Sequence, residues 1–158
     1  MKRFLPSLLV LLVAATSNVF AAEGLISLKS PLTAKETMNR FEENAKQRGL
    51  IIFARIDHAA GAVKVGKTLR PTELLIFGNP MGGTPLIECA QTAGIDLPLK
   101  ALVWEDPKGQ VWLGYNDPAY LAKRHGAIDC PAVAPLTKAL AGLAEATLAA
   151  RLTNPQTN

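Results

Sequence analysis

A β-hairpin between Leu99 and Tyr115 constrains the fold of this chain more than any other feature. Residues 99–104 and 110–115 are two apolar and aromatic runs, separated by Asp106-Pro107-Lys108-Gly109. Proline at the second position of such a tetrapeptide and glycine at the fourth are typical of a type I turn. A bulge at Gly109 then places Trp104 and Trp112 opposite each other on one face. The fold must therefore contain an antiparallel pair of strands.

Three further segments have the pattern of strands. Residues 25–29 alternate apolar and polar side chains, while residues 50–56 and 72–77 are rich in β-branched and apolar side chains. The nearly continuous apolar run of residues 50–56 predicts a strand that is well buried. The turn residues Gly78-Asn79-Pro80 end the third segment.

Helices are predicted between and after these strands. Thr33 and Glu36 form a capping box, which predicts a helix to about residue 48. Thr84-Pro85 has the residues of a cap and a first helical position, and predicts a short helix that ends near residue 94. Asp57 can cap one or two helical turns, and Asp117 can cap a helix that ends near residue 126.

A last helix is predicted after Pro131 and Pro135. Its apolar stripe contains Leu136, Leu140, Leu143 and Ala144. Strands and helices thus mix along the whole chain, and one strand pair is a hairpin. This order predicts an α+β fold, in which a curved antiparallel or mixed sheet is covered by helices on one face.

The N-terminus has the pattern of a secretory signal peptide. Lys2 and Arg3 form a basic start, and residues 4–13 are almost entirely apolar. We expect cleavage after Ala21, with cleavage after Ala22 as the alternative. An uncleaved anchor would need roughly 20 apolar residues, and this stretch is about half as long. The sequence therefore predicts that residues 1–21 are removed and that the protein is periplasmic or secreted.

The remaining chain is expected to form one globular α+β domain over residues 22–152, followed by a disordered tail at residues 153–158. The whole chain has a net charge of +4, and removal of Lys2 and Arg3 leaves half of it. No cluster of basic residues then resembles a nucleic-acid-binding surface. We therefore expect no nucleic-acid partner and no membrane span in the mature chain.

Cys89 and Cys130 are the two cysteines of the chain. Disulfides persist in oxidising compartments, so an exported chain with an even number of cysteines favours a bridge between them. The alternative is that Cys89 is a small core side chain on a helix and that Cys130 is a free thiol. Their long separation, without further cysteines or a nearby histidine, is not a zinc-binding pattern.

Four blocks of sequence, in this order, resemble the domain-of-unknown-function family 302. The blocks are ARIDHAAGA at residues 54–62, RPTELLIFGNP at 70–80, DLPLKALVWED at 96–106 and YNDPAYLAKRHG at 115–126. The resemblance implies a fold similar to the TATA-binding-protein-like α+β class, with a curved antiparallel sheet and helices on one side. It implies no activity, and likeness to the fold of a DNA-binding protein does not predict DNA binding.

Both histidines of the chain, His58 and His125, lie in these blocks beside other polar residues. His58 is a candidate general base, oriented by Asp57 or Glu73, because imidazole titrates near neutral pH. His125 is a second candidate. If the strand ends converge, one polar cleft can bind a ligand through residues drawn from several blocks. The ligand-binding candidates are Arg55, His58, Arg70, Glu73, Trp104, Trp112, Asn116, Tyr120 and His125.

Structural roles explain several of the same residues. Asp57 and Asp117 are well placed as helix caps, and Arg70 can form an ion pair with Glu73. His125, in the last turn of a helix, is favoured by the negative end of the helix dipole. A metal site built from both histidines and one carboxylate has no supporting spacing, so we expect neither a metal nor another cofactor. The absence of a Gly-x-Ser-x-Gly motif argues against a serine hydrolase.

These observations leave three hypotheses for function. The first is an exported, non-enzymatic module that binds a small ligand or a protein partner; the pair of Trp104 and Trp112 would then be a stacking platform or, alternatively, sheet cover. The second is a small enzyme that uses His58 with Asp57 or Glu73 in acid–base chemistry. The third is a structural or stress-related envelope protein, for which a homodimer formed through an exposed face is possible.

Overall fold

The computed structural model describes residues 22–149. The expected signal peptide and the expected tail at residues 153–158 lie outside the described residues. Within them, no helix is long and apolar enough to cross a membrane. In chain order the elements are β1 (Leu25–Ser30), α1 (Ala34–Gln47), β2 (Ile51–Asp57), α2 (His58–Lys64), β3 (Thr72–Gly78), α3 (Pro80–Cys89), a 3₁₀ helix (Gln91–Ile95), β4 (Leu99–Glu105), β5 (Val111–Asn116), α4 (Pro118–Arg124) and α5 (Val133–Leu148).

The five strands form one open sheet in the order β1-β5-β4-β3-β2. Every neighbouring pair is antiparallel. Helices α1 and α5 pack against each other and supply the core residues that cover one face of the sheet. The predicted α+β fold is therefore confirmed, and of the two predicted kinds of sheet the antiparallel one is present.

The hairpin of β4 and β5 has the predicted register, with Trp104 opposite Trp112. Its turn is held by Asp106, whose Oδ1 accepts hydrogen bonds from the backbone N–H groups of Lys108 and Gln110 at 2.8 and 3.0 Å. Gly109 has a φ of +76°, a left-handed conformation that side chains disfavour. The local turn chemistry thus sets the register between β4 and β5.

The core lies between the sheet and the helix pair α1 and α5. Alternate strand residues point to this side, among them Leu75 and Phe77 of β3 and Leu113 of β5, all fully buried. Phe77 meets Phe41 of α1 edge-to-face, with ring centroids 5.2 Å apart. The other side of the sheet, which carries Trp104 and Trp112, is called the open face below.

The prediction that the second strand is well buried is wrong. β2 lies at an edge of the sheet and pairs with β3 alone. A register shift between Ile52 and Ala54 bulges the strand around Phe53, which is 53% exposed. An edge strand has a neighbouring strand on one side only. The continuous apolar run of residues 50–56 therefore does not indicate burial in this fold.

The predicted start of the third helix is also wrong. α3 begins at Pro80 rather than Pro85, and the Asn79 side chain accepts a hydrogen bond from the N–H of Met81 at 2.8 Å. Asn79-Pro80 supplies the same capping signals as Thr84-Pro85, five residues earlier. Pro85 lies inside the helix, which ends at Cys89 and is followed by the separate 3₁₀ helix.

Candidate functional site

A cavity of about 540 Å³ lies between α3, α5 and the adjoining ends of β3 and β4. Its wall is mainly apolar and includes Phe53, Phe77, Leu97, Leu136, Leu140 and Leu143. Small-molecule sites in proteins are typically apolar clefts of about 300 to 1,000 Å³ with a few polar groups. This cavity has the size and the lining of such a site.

The cavity exists because α3 does not pack into the main core between the sheet and helices α1 and α5. Gly82 and Gly83 line it, and their missing side chains leave room beside Leu136 and Leu97. The far end of α3 is anchored elsewhere, in a second apolar cluster that contains Leu86 and Cys130. In the structure Cys130 forms a disulfide with Cys89, the last residue of α3, with the two Cα atoms 6.0 Å apart.

Three polar residues, Arg48, Asn79 and Thr84, line the cavity, and Arg48 is the one with an ionisable side chain. Asn79 is occupied as the cap of α3, and its carbonyl accepts hydrogen bonds from the N–H groups of Gly82 and Gly83. Arg48 follows α1 as its C-cap residue, and its Nη2 donates to the carbonyl of Gly142 in α5 at 2.8 Å. The guanidinium therefore joins the two helices at the wall of the cavity.

His125 lies outside the cavity, in a polar cluster between α4 and the 3₁₀ helix. Its Nε2 lies 2.7 Å from Oδ2 of Asp96, and its Nδ1 lies 3.0 Å from the hydroxyl of Thr92. The side chain is 7% exposed. Asp96 also pairs with Arg124 at 3.1 Å, and its carbonyl accepts a hydrogen bond from Lys100 at 2.7 Å. The cluster thus links the 3₁₀ helix to β4 and α4.

The hydroxyl, imidazole and carboxylate are connected as in a catalytic triad, in which the hydroxyl is the nucleophile, the imidazole is its base and the carboxylate orients the imidazole. Thr92, which supplies the hydroxyl, lies at an exposed position of the 3₁₀ helix. That helix also contributes Gly94 to the cavity wall. Burial lowers the pKa of Lys100, while the nearby Asp96 opposes this effect.

His58 is exposed at the start of α2, and no described residue forms a hydrogen bond with its side chain. The carboxylate of Asp57 instead accepts from the N–H of Ala60 at 2.8 Å, as a helix cap. Glu73 is paired with Arg55 at 2.6 Å. The structure therefore does not join the proposed base to either of the acids proposed to orient it.

Arg55 is the centre of an ion-pair network that ties β2 to α1 and β3. Besides Glu73, it binds Glu42 at 3.1 Å and the side-chain oxygen of Asn39 at 2.8 Å. A hydrogen bond from Lys46 lowers the pKa of Glu42, and Arg55 adds to that effect. The expected ion pair of Arg70 with Glu73 is wrong, because Glu73 is taken by Arg55, and Arg70 donates to the carbonyl of Glu105 at 3.1 Å.

The two tryptophans stack on the open face, with ring centroids 6.2 Å apart and planes 14° apart. Trp104 lies over Gly114, and Trp112 donates to Oδ2 of Asp106 at 2.9 Å. This hydrogen bond is the main reason that the pKa of Asp106 is lowered. The ammonium of Lys29 lies 5.7 Å from the Trp112 ring, within range of a cation–π contact.

The two remaining candidates lie at the end of the sheet where β1 begins. Asn116 is paired with Leu25 in the sheet. The ring of Tyr120 packs directly against Gly24. These positions do not adjoin the cavity wall, and Tyr120 is used in packing.

The predicted ligand-binding residues therefore do not form one cleft, and none of them lines the cavity. Sequence reasoning missed the cavity because its wall combines ordinary apolar residues from several elements. It also missed Asp96 and Thr92 as partners of His125, although Asp96 opens one of the four family-like blocks. Among residues 22–149, no group of three or more His, Cys, Asp or Glu side chains is placed to hold a metal ion.

Comparison with known proteins gives a family and a fold. The family described as domain of unknown function DUF302 matches residues 26–146. A crystal structure of an uncharacterised conserved DUF302 protein from Bacillus stearothermophilus is similar with a TM-score of 0.64 at 22% identity. The similarity covers 80% of this chain and 97% of that one. At this identity the likeness supports the fold alone.

Curated relatives are similar over part of their length. Proteins named fluoride-specific ion channel FluC 1 from Brucella suis and from Brucella abortus are each 51% identical to this chain over 102 residues. The matched region is 65% of this chain, and it is 40% and 38% of those two proteins. The chain therefore corresponds to about two fifths of the relatives it matches.

Proposed function

Since the chain belongs to the DUF302 family of domains of unknown function, we propose that it is an exported, non-enzymatic module that binds a small apolar ligand in the cavity between α3 and α5. The observation that carries this proposal is the cavity itself, with its volume of about 540 Å³ and its largely apolar wall. Binding is favourable here, because an apolar ligand that covers this wall removes apolar surface from water.

The relatives named as fluoride channels support a role as one part of a larger system. In those proteins, a region similar to this chain makes up about two fifths of the length. A ligand-binding or sensing role beside a membrane protein fits that arrangement.

Export is supported by the disulfide of Cys89 and Cys130, since such bridges persist in oxidising compartments. N-terminal sequencing of the protein recovered from the periplasm tests this part of the proposal. The expected first residue is Ala22. Protein that starts at Met1 and is confined to the cytoplasm would contradict export, but it would leave the cavity proposal standing.

The cavity proposal is tested by blocking its mouth. Ala139 lies on an exposed position of α5 and lines the cavity, whereas Ala146 is exposed on the same helix and does not. Ala139→Trp should weaken the binding of 1-decanol, measured by titration calorimetry, by about tenfold or more, because the indole occupies the apolar space. Ala146→Trp is the matched control and should bind as the unmodified protein does.

An unmodified protein that does not bind 1-decanol would contradict the proposal. Equal binding by the unmodified protein and the Ala139→Trp variant would contradict the location. Far-UV circular dichroism of both variants establishes that they are folded.

A second candidate function is favoured by the His125 cluster. In an acyl-transfer reaction, the Thr92 hydroxyl would attack an ester carbonyl and pass its proton to His125, which Asp96 orients. His125 would return that proton to the leaving alcohol, and water would then hydrolyse the acyl-threonine. Hydrolysis of p-nitrophenyl esters that His125→Gln abolishes and His58→Gln spares would support an esterase. Hydrolysis no faster than in buffer would exclude this candidate.

A further inference from the structure

We infer that the cavity selects an amphipathic ligand with a carboxylate head, and that Arg48 binds this carboxylate. The inference rests on the proposed binding function and adds the chemical class of the ligand. It is carried by the position of one cation in an otherwise uncharged cavity wall.

The guanidinium of Arg48 is positioned by the protein but is not neutralised by it. Its Nη2 donates to the carbonyl of Gly142 at 2.8 Å. A Cβ on Gly142 would lie 3.5 Å from Nη1 of Arg48, an ordinary van der Waals distance, so the guanidinium lies directly against α5. No acidic side chain among residues 22–149 forms a salt bridge with Arg48. A guanidinium has five N–H donors, so most of them are left for a ligand.

The other polar groups of the wall cannot take this role. The N–H groups of Met81, Gly82 and Gly83 at the start of α3 already donate to Asn79, so the helix terminus has no free donors there. Asn79 and Thr84 carry no charge. Arg48 is thus the group that can complement a negative charge, and arginine binds carboxylates through paired hydrogen bonds.

The rest of the wall determines the other half of the ligand. Leu97, Leu136 and Leu140 present apolar surface, which favours a hydrocarbon chain or ring and excludes a second charge. A single guanidinium beside this surface matches a single carboxylate attached to an apolar body. A medium-chain fatty acid is the simplest compound with these properties.

Arg40 provides a matched control for Arg48. It also extends from α1 to carbonyl groups at the end of α5, those of Thr147 and Ala149, at 3.3 and 3.1 Å. It does not line the cavity. Loss of either arginine therefore removes a contact between the two helices, but only loss of Arg48 removes a charge from the cavity.

The experiment compares decanoate with 1-decanol by titration calorimetry on the purified protein, at about pH 8, where the carboxylate is ionised. The unmodified protein should bind decanoate about threefold to fivefold more tightly than 1-decanol, since Arg48 is exposed and water screens its charge. Arg48→Gln should remove this preference, because it weakens the binding of decanoate more than that of 1-decanol. Arg40→Gln should retain it.

A salt series on the unmodified protein tests the inference without any variant. Raising NaCl from about 0.05 to about 0.5 M should weaken the binding of decanoate and leave that of 1-decanol nearly constant. Equal affinity for the two compounds, with no effect of Arg48→Gln or of salt, would overturn the carboxylate inference while the cavity proposal stands. Binding of neither compound would overturn both.

Discussion

Gly114 shows how one residue shapes the open face. It is buried in β5, and a Cβ placed on it would lie 2.8 Å from the ring of Trp104 and 3.3 Å from the carbonyl oxygen of Ile26. The missing side chain lets the indole lie directly against the strand, where it stacks on Trp112. The glycine is therefore required by the close approach of an aromatic ring.

We predict that Gly114→Ala lowers the free energy of unfolding by about 1 to 3 kcal/mol, because the methyl group overpacks the strand beneath Trp104. Urea denaturation followed by far-UV circular dichroism measures this change. Trp104→Leu in the same chain should recover part of the loss, which a double-mutant cycle detects. Gly61→Ala is the control, since its Cβ meets nothing within 4 Å and it lies in a helix.

The two histidines differ in their contacts, and their substitution should reveal it. His125→Ala removes hydrogen bonds with Asp96 and Thr92 and leaves a partly buried carboxylate without one partner, so we predict a loss of about 1 to 3 kcal/mol in unfolding free energy. His58→Ala removes an exposed side chain and should change it by about 0.5 kcal/mol or less. Chemical denaturation of both variants checks this. Equal effects would contradict the structural importance of the His125 cluster.

At the scale of elements, α3 depends on the disulfide at its end. Cys89 and Cys130 are 41 residues apart in sequence. Closing a loop of this length restricts the unfolded chain, so we predict that replacing both cysteines by serine lowers the free energy of unfolding by about 2 to 4 kcal/mol. Urea denaturation with and without reductant measures it. A reductant-treated protein as stable as the oxidised one would contradict the predicted contribution of the bridge.

How far the sequence predicts an element depends on how local its determinants are. The register of the β4–β5 hairpin follows from four turn residues, and the structure has Trp104 opposite Trp112 as predicted. The start of α3 was ambiguous because two Pro-containing caps lie five residues apart, and the choice between them depends on tertiary packing. The exposure of β2 depends on the strand order, which no local pattern contains.

The candidate site is less predictable than the fold for the same reason. The sequence pairs Glu73 with Arg70, which is close to it along the chain, whereas in the structure the partner of Glu73 is Arg55 of the neighbouring strand. Nothing in the sequence around Arg48 indicates a binding role, since its position there is that of an ordinary residue at the end of a helix. Its place in the cavity wall depends on a hydrogen bond to the backbone carbonyl of residue 142, which lies 94 positions away in sequence.

At the scale of the whole molecule, carboxylates make stability depend on pH. The hydrogen bond from Lys46 lowers the pKa of Glu42, and the bond from the Trp112 indole lowers that of Asp106. A carboxylate whose folded-state pKa lies below its unfolded-state pKa stabilises the fold above the unfolded-state value, and this contribution is lost as the pH falls through the folded-state value. Stability should therefore decline on acidification.

We predict that the urea midpoint falls as the pH is lowered from neutrality through the range in which carboxylates titrate. Glu42→Gln should make this dependence shallower, whereas Glu88→Gln, at an exposed position of α3, is the control. Lys100 affects stability at alkaline pH. Because burial lowers its pKa, stability should rise with pH between its folded-state pKa and the ordinary pKa of lysine. Equal slopes for the Glu42 and Glu88 variants would contradict the assignment.

The stack of Trp104 and Trp112 has an optical consequence. These are the two tryptophans of the whole chain, and both lie on the side of the sheet away from the cavity. Intrinsic fluorescence excited through indole therefore reports on one patch of the hairpin. A molecule that enters the cavity should leave the emission spectrum nearly unchanged, whereas anything that settles on the open face should shift or quench it. Tryptophan emission thus distinguishes a molecule bound in the cavity from one bound on the open face.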